Sequence, residues 1–123
     1  MGIACSDISE TLQEIRRLFV VTGATAIIHD PEQNANLCML YLESGPPLEL
    51  IEGIAVANIV KKGLHLYHTC WEVDDIDAAI SVMCCAGCRL ISPPKKAVLF
   101  NYRRVAFLYS GLGLIEIIEN PGE

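Results

Sequence analysis

Three residues of this chain are placed to do chemistry: Glu49, His68 and Glu116. Each interrupts an apolar, strand-like run, namely Leu48-Glu49-Leu50-Ile51, Tyr67-His68-Thr69-Cys70-Trp71 and Leu114-Ile115-Glu116-Ile117-Ile118. Strand side chains alternate between faces. Glu49 and Ile51 therefore oppose Leu48 and Leu50, Glu116 and Ile118 oppose Ile115 and Ile117, and His68, Cys70 and Glu72 share a face. If the apolar faces pack on helices, Glu49, His68 and Glu116 all project to the other side. An acid inside an apolar strand is costly unless it is paired, hydrogen-bonded or bound to a cation. A cation held by two carboxylates and an imidazole is one account; such oxygen and nitrogen donors suit Zn, Ni, Co, Mn or Fe in a site with open positions. The other account is a pair of strand-edge acids facing water. The residues by themselves leave both open.

The elements that must position these residues come in two copies. Asp7-Ile8-Ser9-Glu10-Thr11-Leu12 aligns with Asp75-Ile76-Asp77-Ala78-Ala79-Ile80 at a shift of 68, and Glu49-Leu50-Ile51-Glu52 with Glu116-Ile117-Ile118-Glu119 at a shift of 67. Two anchors at nearly one shift imply a duplicated unit with one indel. In each copy a short strand (about 3–5; 67–73) runs into an acidic cap and a helix. Asp7 and Glu10 have capping-box spacing, with Ile8, Leu12, Ile15 and Leu18/Phe19 as one apolar face. In the second copy Asp74 and Asp77 are expected to cap, Ile76, Ile80 and Met83 to face inward, and Gly87 to stop the helix. Three strands come after each helix: 25–28, 37–42 and 47–52, then 89–92, 105–109 and 114–119. Asp30-Pro31, Gly45-Pro46-Pro47, Pro93-Pro94 and Gly111–Gly113 read as turns. A short helix at about 55–62, closed by Gly63, links the copies. The expected architecture is α+β: one domain of two βαβββ modules (about 1–53 and 64–123, with a linker at about 54–63), whose curved sheets enclose a cleft.

Composition bounds the function. At 123 residues, 52% hydrophobic and 20% charged, with mean hydropathy +0.38, the chain suits one domain with a real core and is not a disordered tail. Net charge is −6; through Gly53 there are eight acids and two bases, and seven of each thereafter, so the whole excess lies in the first half. An acidic balance argues against a nucleic-acid partner. The longest apolar runs fall far short of a membrane span of ~20 residues, and no leader pattern is visible, so a cytoplasmic protein is expected. The six cysteines then read as reduced thiols. Cys85-Ala86-Gly87-Cys88 lies at the C-terminal end of a helix, where the dipole disfavours thiolate, and no further knuckle-spaced zinc ligands are in view.

The stretch His68-Thr69-Cys70-Trp71-Glu72-Val73-Asp74-Asp75-Ile76-Asp77-Ala78-Ala79-Ile80, then Gly87, Arg103-Arg104-Val105-Ala106-Phe107-Leu108 and Leu114–Glu119, resembles the vicinal oxygen chelate (glyoxalase/bleomycin resistance) superfamily, and within it the methylmalonyl-CoA epimerase and glyoxalase I branch. Gly2-Ile3-Ala4, His29-Asp30-Pro31-Glu32-Gln33 and Leu48–Glu52 extend the likeness more loosely. The resemblance implies a divalent metal bound by Glu49, His68 and Glu116. A fourth ligand, a histidine, is expected two residues before Gly2, at position zero, ahead of Met1, so the metal site in this sequence is expected to be incomplete and its ion weakly held or absent. Asn101-Tyr102 departs from the pattern, as small glycine-rich residues are usual before the arginine.

The resemblance implies a metal-dependent lyase or isomerase acting on a small carbonyl or acyl-thioester substrate. Glu116 would be the base, and Glu32, otherwise an ordinary turn acid, the second acid/base group. The alternative is a metal-free small-molecule binder of the resistance type. His29 and His65 have no repeat partner and read as surface histidines. Open sheet edges favour a homodimer.

Overall fold

The computed structural model describes residues 1–121. The chain divides into two compact units, Met1–Tyr67 and the part from His68 onward. Residues 122–123, the end of the second expected module, lie outside the described residues.

The first unit runs β1 (Gly2–Ala4), α1 (Ile8–Leu18), β2 (Val21–Ala24), β3 (Ile28–Asp30), β4 (Ala35–Leu42), β5 (Leu48–Gly53) and α2 (Ile54–Lys61). Its sheet has the order β2-β4-β5-β1, with β3 also on β4; β1 lies parallel to β5 and the other pairs are antiparallel. Helix α1 starts where Asp7, in extended conformation, accepts a 3.2 Å hydrogen bond from the Glu10 N–H. Its inner face follows the 3.6-residue period: Ile8, Leu12 and Ile15 pack with Cys5, Cys38 and Leu50. Fully burying a side chain such as Ile8 or Leu50 contributes about 1.5–3 kcal/mol. The expected extension of that face to Leu18/Phe19 does not hold. Phe19 has already left the helix, and Leu18, Phe19 and Val20 are exposed.

The second unit takes in β6 (Leu66–Val73), α3 (Ile76–Cys85), β7 (Arg89–Ala97), a 3-10 turn at Val98–Phe100, β8 (Arg103–Ser110) and β9 (Gly113–Glu119). Its sheet order is β6-β9-β8-β7, again with one parallel pair, β6 with β9. One face, with Ile115, Ile117, Ala106 and Leu108, packs under Ile76, Ala79, Ile80 and Met83 of α3. The other carries Val105, Ile118, Ala97 and Cys70. Gly87, at φ +106°, ends α3: the Cys88 N–H bonds Met83 O (3.0 Å) and the Gly87 N–H bonds Cys84 O (3.1 Å), closing the last turn on a left-handed residue.

Three further expectations need correction. Among the described residues there are nine strands, not eight, because residues 25–27 of the strand expected at 25–28 belong to no strand and two short strands, β2 and β3, flank them. The β2–β4 register slips between Val21 and Gly23, and Thr25 bonds β4 through its Oγ1, which accepts from the Met39 N–H. Helix α3 is capped by Asp75, whose side chain accepts from the Ala78 N–H at 3.0 Å, and not by Asp74 and Asp77. Asp74 accepts from Asn120 Nδ2 instead, and Asp77 pairs with Arg104. Pro93-Pro94 is not a turn. Both prolines lie within β7, the edge strand, where the register slips on either side of Ser92 and a missing N–H breaks no central ladder. Among the described residues no helix is long and apolar enough to cross a membrane, which says nothing of membrane β-barrels.

Candidate metal centre

Strands β6 and β9 pair with Cys70 beside Glu116. His68 is two residues before Cys70, hence on the same face and diagonal to Glu116. Their side chains meet: His68 Nε2 is 3.9 Å from Glu116 Oε1, and each side chain is 1% exposed. Phe107 on β8 lies directly across from Glu116, and its ring sits edge-on to the imidazole, with centroids 5.5 Å apart at 70°. That ring packs against the imidazole, and both residues are buried or nearly so.

In the first unit, Glu49 holds the place that Glu116 holds in the second. It sits on β5 between Met39 of β4 and Gly2 of β1, buried at 3% exposure, on the face opposite Leu50 and the helix core. Gly2 pairs with Glu49 as Cys70 pairs with Glu116, so the repeat read from sequence is also a repeat of strand register.

In the second unit His68 and Glu116, both buried, have the donor chemistry that suits a divalent cation, and Glu49 in the first unit is a buried carboxylate of the same kind. The 3.9 Å between Nε2 and Oε1 is too long for a hydrogen bond between them. Two ligands at tetrahedral bond lengths stand roughly 3.4 Å apart, so a closure of about 0.5 Å brings this pair to ligating separation.

Glu32 is exposed in the turn after β3, its N–H donating to Asp30 Oδ1 at 2.9 Å. Asp30, 3% exposed, organises that turn and also accepts from Gln33 Nε2. His29 is exposed and bonded to Asn36, and His65, also exposed, lies near Ala4 O.

Sequence reasoning used Glu52 and Glu119 as repeat anchors but missed what they do. Each stands at the end of its unit's last strand and caps the helix: Glu52 Oε2 accepts from the Ile8 N–H at 2.9 Å, and Glu119 Oε2 from the Ile76 N–H at 3.0 Å. Their second oxygens bond equivalent residues, Asn36 and Arg104. The Glu119 carboxyl is held below its ordinary pKa by the Arg104 hydrogen bonds and then by the Ile76 N–H, and Arg104 is correspondingly raised. The signal was available in the glutamate found three residues after each buried acid. These clamps fix the strand ends that carry Glu49 and Glu116. Burial pushes the Cys5 thiol up, which makes it a core residue and not a nucleophile.

Duplicated βαβββ units, each with a buried acid at the same place on its last strand, define a glyoxalase-like α+β protein. The chain belongs to the Glyoxalase/Bleomycin resistance protein/Dioxygenase superfamily, whose family model matches residues 1–107. Among solved structures it is similar to methylmalonyl-CoA epimerase from Mycobacterium tuberculosis (TM-score 0.73, 19% identity, covering 96% of this chain and 83% of that one). It is also similar to a variant of Streptomyces coelicolor methylmalonyl-CoA epimerase in complex with 2-nitronate-propionyl-CoA (TM-score 0.74, 22% identity, covering 98% and 91%). A hypothetical protein from Bacillus halodurans C-125 matches as well (TM-score 0.73, 23% identity, covering 99% and 92%). At these identities the likeness is one of fold. No curated protein matches the chain in sequence.

Proposed function

We propose that this protein is a divalent-metal-dependent lyase or isomerase of the epimerase kind, acting on a small carbonyl or acyl-thioester substrate, with Glu49, His68 and Glu116 as metal ligands. The observation that carries the reading is the buried His68–Glu116 pair, 3.9 Å apart beside Phe107 and on the face that carries Cys70, Val105 and Ile118. Glu49 joins the set because it is the register equivalent of Glu116 and equally buried. When bound, a divalent ion polarises a carbonyl oxygen and lowers the cost of charge left when the neighbouring carbon loses its proton.

The chain's own residues do the rest. His68, buried against Phe107, is a nitrogen donor. The Glu116 carboxylate accepts the proton from the substrate carbon, in surroundings from which water is excluded. Epimerisation requires a proton from the opposite face, and Glu32, exposed on its turn, is the group assigned to that step. Phe107, Val105 and Ile118 give the face that carries Glu116 an apolar wall.

The reading is tested by two measurements on purified protein. One is metal content and thermal shift with Ni, Co, Mn and Zn; the other is solvent deuterium exchange at the α-carbon of short acyl-thioesters. Metal-dependent stabilisation with exchange supports it. No stabilisation by any of the four ions refutes it, and ligand-dependent stabilisation indifferent to chelator favours the metal-free binder.

A further inference from the structure

We propose that the second unit carries an anion subsite at the start of β8, formed by Arg103 with Tyr102, which takes a carboxylate or phosphate borne on a planar ring. The subsite is separate from the His68–Glu116 pair and does not depend on that pair binding metal.

The first observation is backbone strain at a place where the chain had cheaper options. Asn101 (φ 55°) and Tyr102 (φ 62°) are consecutive non-glycine residues in the left-handed region. Asparagine adopts this region readily, but for a bulky side chain such as Tyr102 it is uncommon and costs about 1–2 kcal/mol. Its effect is to leave the Tyr102 ring 63% exposed at the rim of a cavity of ≈ 380 Å³ lined by Tyr102, Arg103, Arg104, Glu119 and Asn120 among others. That volume accommodates a small ring with an acidic substituent.

The second observation is a charge imbalance inside that cavity. The lining has two guanidinium groups and one carboxylate, in a chain whose net charge is −6. Arg104 is engaged at both Nε and Nη2, by Glu119 at 3.2 and 2.9 Å and by Asp77 at 3.4 Å. Arg103 is not. Its Nε donates to Glu119 O at 2.9 Å, which fixes the plane of the fork. The carboxylate paired with Nη2, Glu72, stands off at 3.5 Å, and its side chain is 66% exposed. A charge-assisted hydrogen bond is about 2.7–2.9 Å, and an exposed ion pair is worth little. Arg103, with its side chain 20% exposed, therefore keeps a half-desolvated charge and unused donors in a fork geometry that matches carboxylate and phosphate. Tyr102 adds an aromatic face beside it.

The test uses the intact chain, titrated with inorganic phosphate, phenyl phosphate, acetate and benzoate by calorimetry, in the absence of metal. Saturable binding is expected, tighter for the aromatic member of each pair; comparing the phosphate and carboxylate arms assigns the head group. Tyr102→Ala should erase the aromatic advantage and leave the simple anion bound. Arg103→Gln should weaken binding by about tenfold or more. Because Arg103 also bonds Glu119 O, a second variant guards against a folding defect: Glu72→Gln, on an exposed side chain, removes the competing carboxylate and should tighten binding about threefold. No saturable binding by the wild type overturns the proposal, as does unchanged affinity in both Arg103→Gln and Glu72→Gln. Metal-dependent thermal shift in the same preparations reports separately on the His68–Glu116 pair.

Discussion

Replacing Glu116 by glutamine separates a ligand from a structural acid. The substitution is nearly isosteric and removes a carboxylate whose side chain is 1% exposed, 3.9 Å from His68 Nε2 and opposite Phe107. Taking a carboxylate out of water costs several kcal/mol even after relaxation, and its partners in the folded chain offset that cost. A buried amide costs roughly 1–3 kcal/mol by the measure of protein mutations. The metal-free variant should therefore stay within about 1–3 kcal/mol of wild type, or roughly 3–10 °C in melting temperature for a chain of this size. The response to metal should change far more. At a free-ion concentration of about 100 times the dissociation constant, the wild type gains about 2.7 kcal/mol, and the variant should lose most of that. The assay is a set of four melting curves, each protein with chelator and with metal. A variant that melts lower than wild type with chelator, yet keeps its full metal shift, would refute the reasoning, because Glu116 would then be a structural residue and the metal would bind elsewhere.

The clamps and caps have consequences of their own. Glu119 titrates below its ordinary value of 4.5, so its contribution to stability is complete above that pH and is lost as pH falls through the lowered folded value; Glu119→Gln should flatten the acid limb of a stability–pH curve while changing little at its alkaline end. Asp75→Ala should cost about 1 kcal/mol by chemical denaturation through loss of the cap on Ala78, more than Asp77→Ala, whose partner Arg104 retains Glu119. Gly53→Ala should cost more than Gly87→Ala. Both sit at positive φ, but a Cβ at 53 would stand 3.0 Å from Asn34 O and 3.2 Å from Ala35 Cα, whereas at 87 it meets nothing within 4 Å, so the second loses only the ~1–2 kcal/mol of backbone strain. Equal losses in the two variants would count against the close packing of β4 on the end of β5.

The parts of this protein legible in its sequence are those governed by period and repetition. Alternation along β5, β6 and β9 placed Glu49, His68 and Glu116 on the face away from the helices, and the helix cores bear out that side: Leu50 packs with Ile8, and Ile117 with Ile76. The duplication then fixed registers that no single strand could, since Gly2 against Glu49 repeats as Cys70 against Glu116. What escaped depends on choices between neighbours of similar chemistry. Three aspartates crowd the start of α3, and only the position of the first helical N–H groups selects Asp75 as the cap. Pro93-Pro94 has the composition of a turn, and what keeps it in a strand is a location at the sheet edge, which local composition does not reveal. The same limit hid the clamps, because Glu119 meets Ile76 across 43 residues and Glu52 meets Ile8 across 44. Yet the clamps give the repeat its physical sense. Each places an acid at the end of the last strand against the first turn of the unit's own helix, three residues beyond the buried acid. A unit that shifted this strand by one residue would therefore lose its cap and turn Glu49 or Glu116 into the helix core at the same time. The buried acid is thus held in register by a second acid whose partner is backbone, so copying the unit copies the placement of the candidate ligand with it.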